Sequence, residues 1–171
     1  MTTESNVFTA LRAFILAAAP DVNECVQGQQ NAIAGPASDN YVVMWPTSRQ
    51  RLATNNREYD PNTGIRGVSA STQVVFQIDV HGSKCADITQ RITTLFRDVY
   101  ATEFFKSLDL GVTPLYCDDG KQLPFSTGEK SWENRWVLYA ELQITPTVST
   151  TYQFADTLGP ELVEVDTTYP E

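Results

Sequence analysis

The side chains able to do acid–base, nucleophilic or metal chemistry are few in this chain, and they are scattered. Asp118 and Asp119 are adjacent acids, a pairing that general acid–base or metal chemistry can use. Neighbours on a strand point to opposite faces, however, and Gly120 follows at once, so a solvated turn accounts for them better. His81 is the only histidine. It sits on the polar side of an alternating stretch, beside Gly82, with no serine or cysteine motif that would make it a catalytic base; a surface histidine is the expectation. Glu129, Glu133 and Glu141 lack metal-ligand spacing. Ser126-Thr127 and Ser149-Thr150-Thr151 suit turns and exposed strand faces, and Gly64, Gly67 and Gly82 are too dispersed to cradle a phosphate. Cys25, Cys85 and Cys117 are odd in number and widely spaced, which fits neither a disulfide framework nor zinc. They read as reduced, mostly buried thiols in a protein made in the cytoplasm. No catalytic, cofactor-binding or metal-ligating residue is assigned, and no enzyme activity is expected.

Charge points elsewhere. The net charge is −9, which argues against a strong nucleic-acid binder. Against that acidic background, Arg49, Arg51, Arg57 and Arg66 gather four of the twelve Lys and Arg, with only Glu58 and Asp60 among them. Two readings stay open: a solvated loop with weak local ion pairs, or a contact with an acidic partner surface. In a homo-oligomer that surface could be a neighbour's acidic tail, making the interface heterologous and ring-forming. The tail fits: from Gln153 onward Asp156, Glu161, Glu164, Asp166 and Glu171 occur with no base. Trp132 and Trp136 flank Arg135 and are possible interface anchors. Trp136 is in phase with Leu138 and belongs to the core; Trp132 lies near a turn and is the better surface candidate.

The elements that must position these groups follow from periodicity. A first helix is expected from about Ser5 to Ala19, capped by Ser5 or Asn6, with Phe8, Leu11, Ile15 and Ala18 on one face. Phe14 to Ala19 follows no basic region and stops at Pro20, so it is a core helix and not a signal peptide. Gly28 to Asn40 reads as a loop. Tyr41 to Trp45 is a buried strand that must end, bend or lie at an edge at Pro46. Leu52 to Ser71 is a long connection with a tight turn on Pro61 and Gly64. Thr72 to His81 alternates, with Val74, Phe76, Ile78 and Val80 facing inward. A second helix, capped by Ser83, carries Ile88, Ile92, Leu95, Phe96 and Val99 and runs to about Leu108, with Gly111 as its stop. Leu115–Cys117 and Gln122–Phe125 flank a hairpin-like turn at Asp118-Asp119-Gly120-Lys121, and Ser126 to Lys130 is another turn. Trp132 to Gln153 is a long extended run. Fully extended it would span about 70 Å, whereas a compact domain of this length is roughly 40 Å across. It must bend near Pro146 or leave the globule as an arm. The expected fold is α+β: a mostly antiparallel β-sheet with two main helices packed on one face and extended loop or arm elements. Residues 1–151 form one domain, and 152–171 are an acidic C-terminal extension or assembly arm bearing Tyr152 and Phe154. No apolar run is long enough to span a membrane.

Several of these segments resemble the neck or tail terminator proteins of tailed bacteriophages. They are the helix ALRAFILAAAP, the piece Val26-Gln27-Gly28-Gln29-Gln30-Asn31, the strand Tyr41–Met44, the run Arg49-Gln50-Arg51-Leu52-Ala53-Thr54-Asn55, and the strand Gln73–Gly82 with the helix after it. The resemblance covers about Val7 to Thr150 and does not extend into the tail. It implies a subunit of the virion neck that forms a hexameric ring, caps the tail tube, ends tube polymerisation and joins the tail to the head-side connector or collar. In contractile tails it implies contact with the sheath. It implies no catalysis and no cofactor, and genomic DNA passing through the lumen without specific binding. Six copies at −9 would give a ring of about −54, whose acidic lumen would let DNA slide. The contact residues inferred from charge and exposure are Arg49, Arg51, Arg57, Arg66, Trp132, Arg135, Tyr152 and Phe154. The alternatives are another virion ring protein (head-completion, collar or tube protein), or a small ligand-binding domain or enzyme. The latter would need a deep pocket with convergent polar groups, which the sequence does not supply.

Overall fold

The computed structural model describes residues 3–30, 36, 38–123, 125–126, 132–152 and 159. The chain opens with helix α1 (Glu4–Ala18), whose Val7, Ala10, Leu11, Phe14, Ile15 and Ala18 form the buried stripe. Thr3, not Ser5 or Asn6, caps it: the Thr3 hydroxyl accepts from the Asn6 N–H, and Asn6 lies inside the helix. After Pro20-Asp21 a short strand, β1 (Glu24–Gln27), pairs in parallel with β2 (Tyr41–Arg51). A hairpin of β3 (Asn56–Asp60) and β4 (Ile65–Ser69) follows, then β5 (Thr72–His81). Two helices come next, α2 (Cys85–Phe96) and α3 (Val99–Leu108). The rest is β6 (Val112–Cys117), β7 (Lys121–Gln122), β8 (Phe125–Ser126), β9 (Trp132–Glu133), β10 (Arg135–Ile144) and β11 (Thr147–Thr151).

The main sheet has the order β1-β2-β5-β10-β6, with β7 also on β10. Only β1–β2 is parallel, so the architecture is the expected α+β with a mostly antiparallel sheet. Alternation decides its inner face. Val74, Phe76, Ile78 and Val80 of β5 and Leu138, Ala140 and Leu142 of β10 are fully buried against the helices. Phe14 is the hub beneath, with ring centroids of Phe96 and Phe105 each at 5.4 Å and Phe104 at 5.8 Å. All three cysteines are buried and unbridged, and burial pushes the Cys25 and Cys117 thiols up to about 12.

Among the described residues the helical layer contains three helices rather than two. The second expected helix breaks at Arg97-Asp98, because Asp98 turns extended and its carboxylate accepts from the Tyr100 N–H at 2.9 Å, starting α3 afresh. Val99 therefore leaves the apolar stripe and is exposed. Ser83 does not cap α2; its hydroxyl donates to Asp39 at 2.6 Å, while the Asn40 side chain accepts the Lys84 N–H at 3.0 Å. Asp109, in the left-handed region, caps α3, and Gly111 follows at φ +67°.

Pro46 does not end β2. The strand continues to Arg51 with a register shift between Pro46 and Ser48. β1 pairs only as far as Met44, so Pro46 lies on an edge where its missing N–H costs no rung. The stretch from Leu52 to Ser71 is not an irregular connection but the β3–β4 hairpin, with the turn at Pro61–Gly64 as expected. Nor do β6 and β7 form a hairpin with each other. Both pair with β10, and Asp118 bridges the gap: its N–H donates to the Tyr139 carbonyl at 3.1 Å and its carboxylate accepts the Tyr139 N–H at 2.6 Å. The turn expected at Ser126–Lys130 lies mostly outside the described residues; β8 and β9 on either side of it pair antiparallel.

The expected break near Pro146 occurs, and it has counterparts. β11, β4 and β3 form a second sheet in that order. These strands are the continuations of β10, β5 and β2, interrupted at Thr145-Pro146, Ala70-Ser71 and Leu52–Asn55 respectively. Three adjacent strands thus stop at one level, held there by Leu52 N–H to the Ser71 carbonyl at 2.9 Å, and resume as a small sheet of the same lateral order. None of the residues in β3, β4 or β11 is buried.

Candidate functional site

The polar groups singled out for chemistry serve to join strands. His81 is buried, contrary to the surface histidine expected, because its partners are polar and come with it. Its ring stacks on Tyr41 with centroids 4.6 Å apart, and its Nδ1 lies 3.1 Å from Glu133 Oε1. The Tyr41 hydroxyl donates to the same oxygen at 2.7 Å. Burial pushes His81 below the ordinary imidazole value, outweighing the nearby carboxylates of Glu133 and Asp79. Burial, aided by Glu133, pushes the Tyr41 phenol up. Arg135 Nε lies 2.7 Å from Asp79 Oδ2, and Gln77 donates to the other Asp79 oxygen at 2.8 Å. Tyr41, Asp79, His81 and Arg135 border a hollow of about 450 Å³ with Val43 and Trp45. The Glu133 carboxylate links β2, β5 and β9, and Asp79 ties β5 to Arg135 of β10; the arrangement does not set a nucleophile beside a base. Asp118 completes a ladder, and Asp119 is an exposed partner of Arg97 at 3.0 Å.

The structure separates the sequence-predicted contact residues into three places. Arg49 and Arg51 end β2. Arg49 pairs with Glu4 on α1, and Arg51 donates to Asn55 at 2.7 Å. Trp132 stands 78% exposed on β9, while Arg135 is half-buried on Asp79. Trp136 is half-buried against the core, as its phase implies. Arg57, Arg66 and Tyr152 come together on the small sheet. Phe154 lies outside the described residues.

The small sheet has two unlike faces. Directly paired residues of antiparallel strands share a face, and the register pairs Arg57 with Val68, Tyr59 with Arg66, Val68 with Val148 and Arg66 with Thr150. One face therefore carries Arg57, Tyr59, Arg66, Val68 and Val148. The Arg66 guanidinium lies 4.6 Å over the Tyr152 ring, and Tyr59 meets Tyr152 edge-on at 5.9 Å. Val148 is 58% exposed, Tyr59 48% and Tyr152 47%. The opposite face carries Glu58, Asp60, Ile65, Gly67 and Ser149, which with Tyr59 and Thr63 line a hollow of about 480 Å³. A Cβ at Gly67 would find nothing nearer than Thr147 Cγ2 at 3.5 Å, so the hollow is open. The Thr63 hydroxyl and the Asn62 N–H donate to Asp60 and lower its pKa from the ordinary carboxylate value. Sequence reasoning saw the turn and the arginines but not the second face. The signal was present in Arg57-Glu58-Tyr59-Asp60, where the two acids recur at the period of a strand and Arg57 and Tyr59 take the alternate positions.

Among the described residues His81, Glu133, Asp79 and Asp118 are tied into the framework, and the distinctive exposed feature is a sheet with unlike faces, which suits an assembly subunit. A family model described as "Phage neck terminator protein" matches residues 5–170, and the chain belongs to that family. No curated protein sequence matches the chain. Membership makes it a structural protein of the phage neck, located in the virion and in contact with other tail and head-connector proteins. The family match continues past Thr150, where the resemblance of the quoted segments stops, and takes in nearly all of the acidic tail.

Proposed function

We propose that this protein forms a ring that caps the tail tube, ends its polymerisation and joins the tail to the head-side connector. The observation that carries the reading is the small sheet of β3, β4 and β11: three core strands extend into a sheet with no buried residue, bearing exposed Tyr and Arg side chains on one face. Tyr and Arg are the residue types that anchor interfaces. A hexamer, expected from the family resemblance, would total about −54 from copies of −9, and an acidic lumen would pass DNA without holding it. In this reading Arg57, Arg66 and Tyr152 are contacts between subunits. Arg49, Arg51, Trp132 and Arg135 face tube or connector, and residues 152–171, with Phe154, act as an arm on a neighbour.

The test is the native mass of the purified chain, alone and with tail tubes, together with electron microscopy of particles made without it. Rings, or tails of uncontrolled length that fail to join heads, support the reading. A protein that stays monomeric on tubes and whose loss leaves tail length and head joining intact refutes it. Removal of Gln153–Glu171 should leave the core folded and weaken ring formation or docking.

A further inference from the structure

We propose that copies of this chain join through the two faces of the small sheet, the Arg57–Tyr59–Arg66–Tyr152 face of one copy packing on the Glu58–Asp60–Gly67 face of the next. This rests on the ring reading above and names the contact that closes it. The partner is a second copy because the chain carries both halves of a complementary pair. Two arginines and no acid lie on one side of β3 and β4, two acids and no base on the other. The steric match runs the same way. The basic side presents two half-exposed tyrosines, and the acidic side offers an open hollow over Gly67 of about 480 Å³, large enough for an aromatic ring. Asp60 accepts from Thr63 and the Asn62 N–H within its own turn, which fixes its carboxylate on the acidic side. A face that binds a different face is a heterologous contact, and heterologous contacts propagate into rings or filaments instead of stopping at a dimer.

Charge swaps test it. One variant carries Arg57→Glu and Arg66→Glu, which makes both sides acidic. A second carries Glu58→Arg and Ser149→Lys, which makes both sides basic; Asp60 is left in place because it closes the Pro61–Gly64 turn. Each variant alone should lose self-association, with the midpoint concentration raised about a hundredfold. An equimolar mixture should recover it, because every contact is again opposite in sign, and native mass spectrometry should show the two chains in equal number. Gly67→Leu provides a second measurement: its Cβ meets only ordinary contacts and its side chain projects toward the hollow, so the melting temperature should hold while association falls.

All are measured in solution and on tail tubes from particles made without the protein. Wild-type protein that fails to assemble in either setting counts against the ring reading itself. Wild-type assembly unaffected by the swaps and by Gly67→Leu overturns this interface and leaves the ring standing. Swaps that abolish assembly with no rescue on mixing, where removal of Gln153–Glu171 does the same, also overturn it and make the acidic tail the occupant of the basic face.

Discussion

Replacing Asp118 with Ala tests whether one side chain carries a rung of the main sheet. β6 and β7 both line β10 but leave Leu138 and Tyr139 between their registers. At that gap the Tyr139 N–H has the Asp118 carboxylate, at 2.6 Å, where a neighbouring strand would offer a carbonyl. A hydrogen bond to a charged acceptor contributes about 1.5–3 kcal/mol, and the carboxylate is partly open to water, which favours the lower half of that range. The ion pair of Asp118 with Lys121 at 3.4 Å adds little, since the lysine is two-thirds exposed. Asp118→Ala should therefore cost about 2 kcal/mol. For a chain of this size that is a fall of about 4–8 °C in melting temperature. Asp118→Asn keeps an acceptor at the same position and should lose about half as much. Thermal melts and urea titrations of the three proteins decide it, with hydrogen exchange at the Tyr139 amide as a local probe. Asp118→Ala within about 0.5 kcal/mol of wild type, or Asp118→Asn as damaging as Asp118→Ala, would refute the role of that oxygen.

Gly82→Ala should destabilise by about 3 kcal/mol or more, because φ is +110° and the new Cβ would fall 2.0 Å from the Asp39 carbonyl oxygen; a melt within a degree of wild type would exclude the clash. Phe14→Ala should cost about 3–5 kcal/mol by emptying the aromatic hub, read as a drop in urea midpoint with an unchanged slope. His81 gives a pH dependence whose sign follows from its lowered pKa. The unfolded chain protonates near the ordinary value of 6.5 while the folded one does not, so stability is complete above that pH and falls as pH drops through and below it. Urea midpoints at pH 7.5 and 5.5 should differ for wild type and differ less for His81→Gln; an equal difference in both would remove His81 as the cause.

Much of the fold was legible where a pattern answers to one neighbour only. The inward set Val74, Phe76, Ile78 and Val80 is buried as read, and so are Leu11, Ile15 and Ala18 of the α1 stripe, which Val7, Ala10 and Phe14 widen while Phe8 is half-buried at its margin. The failures have a common cause: a second partner that local sequence does not name. The apolar stripe after Gly82 runs on through Val99, yet Asp98 prefers to cap a new helix. Asp118-Asp119-Gly120-Lys121 has hairpin composition, but β10 supplies both flanking strands with a better edge. His81 looked superficial because its period is polar, and it is buried because Tyr41 and Glu133, distant in sequence, satisfy it. The candidate surface was half visible. Four arginines marked it, but which of them share a face depended on a register that only the β3–β4–β11 pairing establishes.

The common level at which β2, β5 and β10 break divides one set of strands between two regimes of opening. Below it the amides of the central strands β5 and β10 lie in a sheet whose inner side chains are buried, and their exchange is expected to need the most extensive opening. Above it the rungs between β3, β4 and β11 shield no buried side chain, so they open locally and exchange first. The subunit is thus a rigid body that ends in an easily loosened blade, and covering that blade would slow exchange there before anywhere else in the chain. Protection gained on assembly would accordingly mark, amide by amide, which part of the neck has locked.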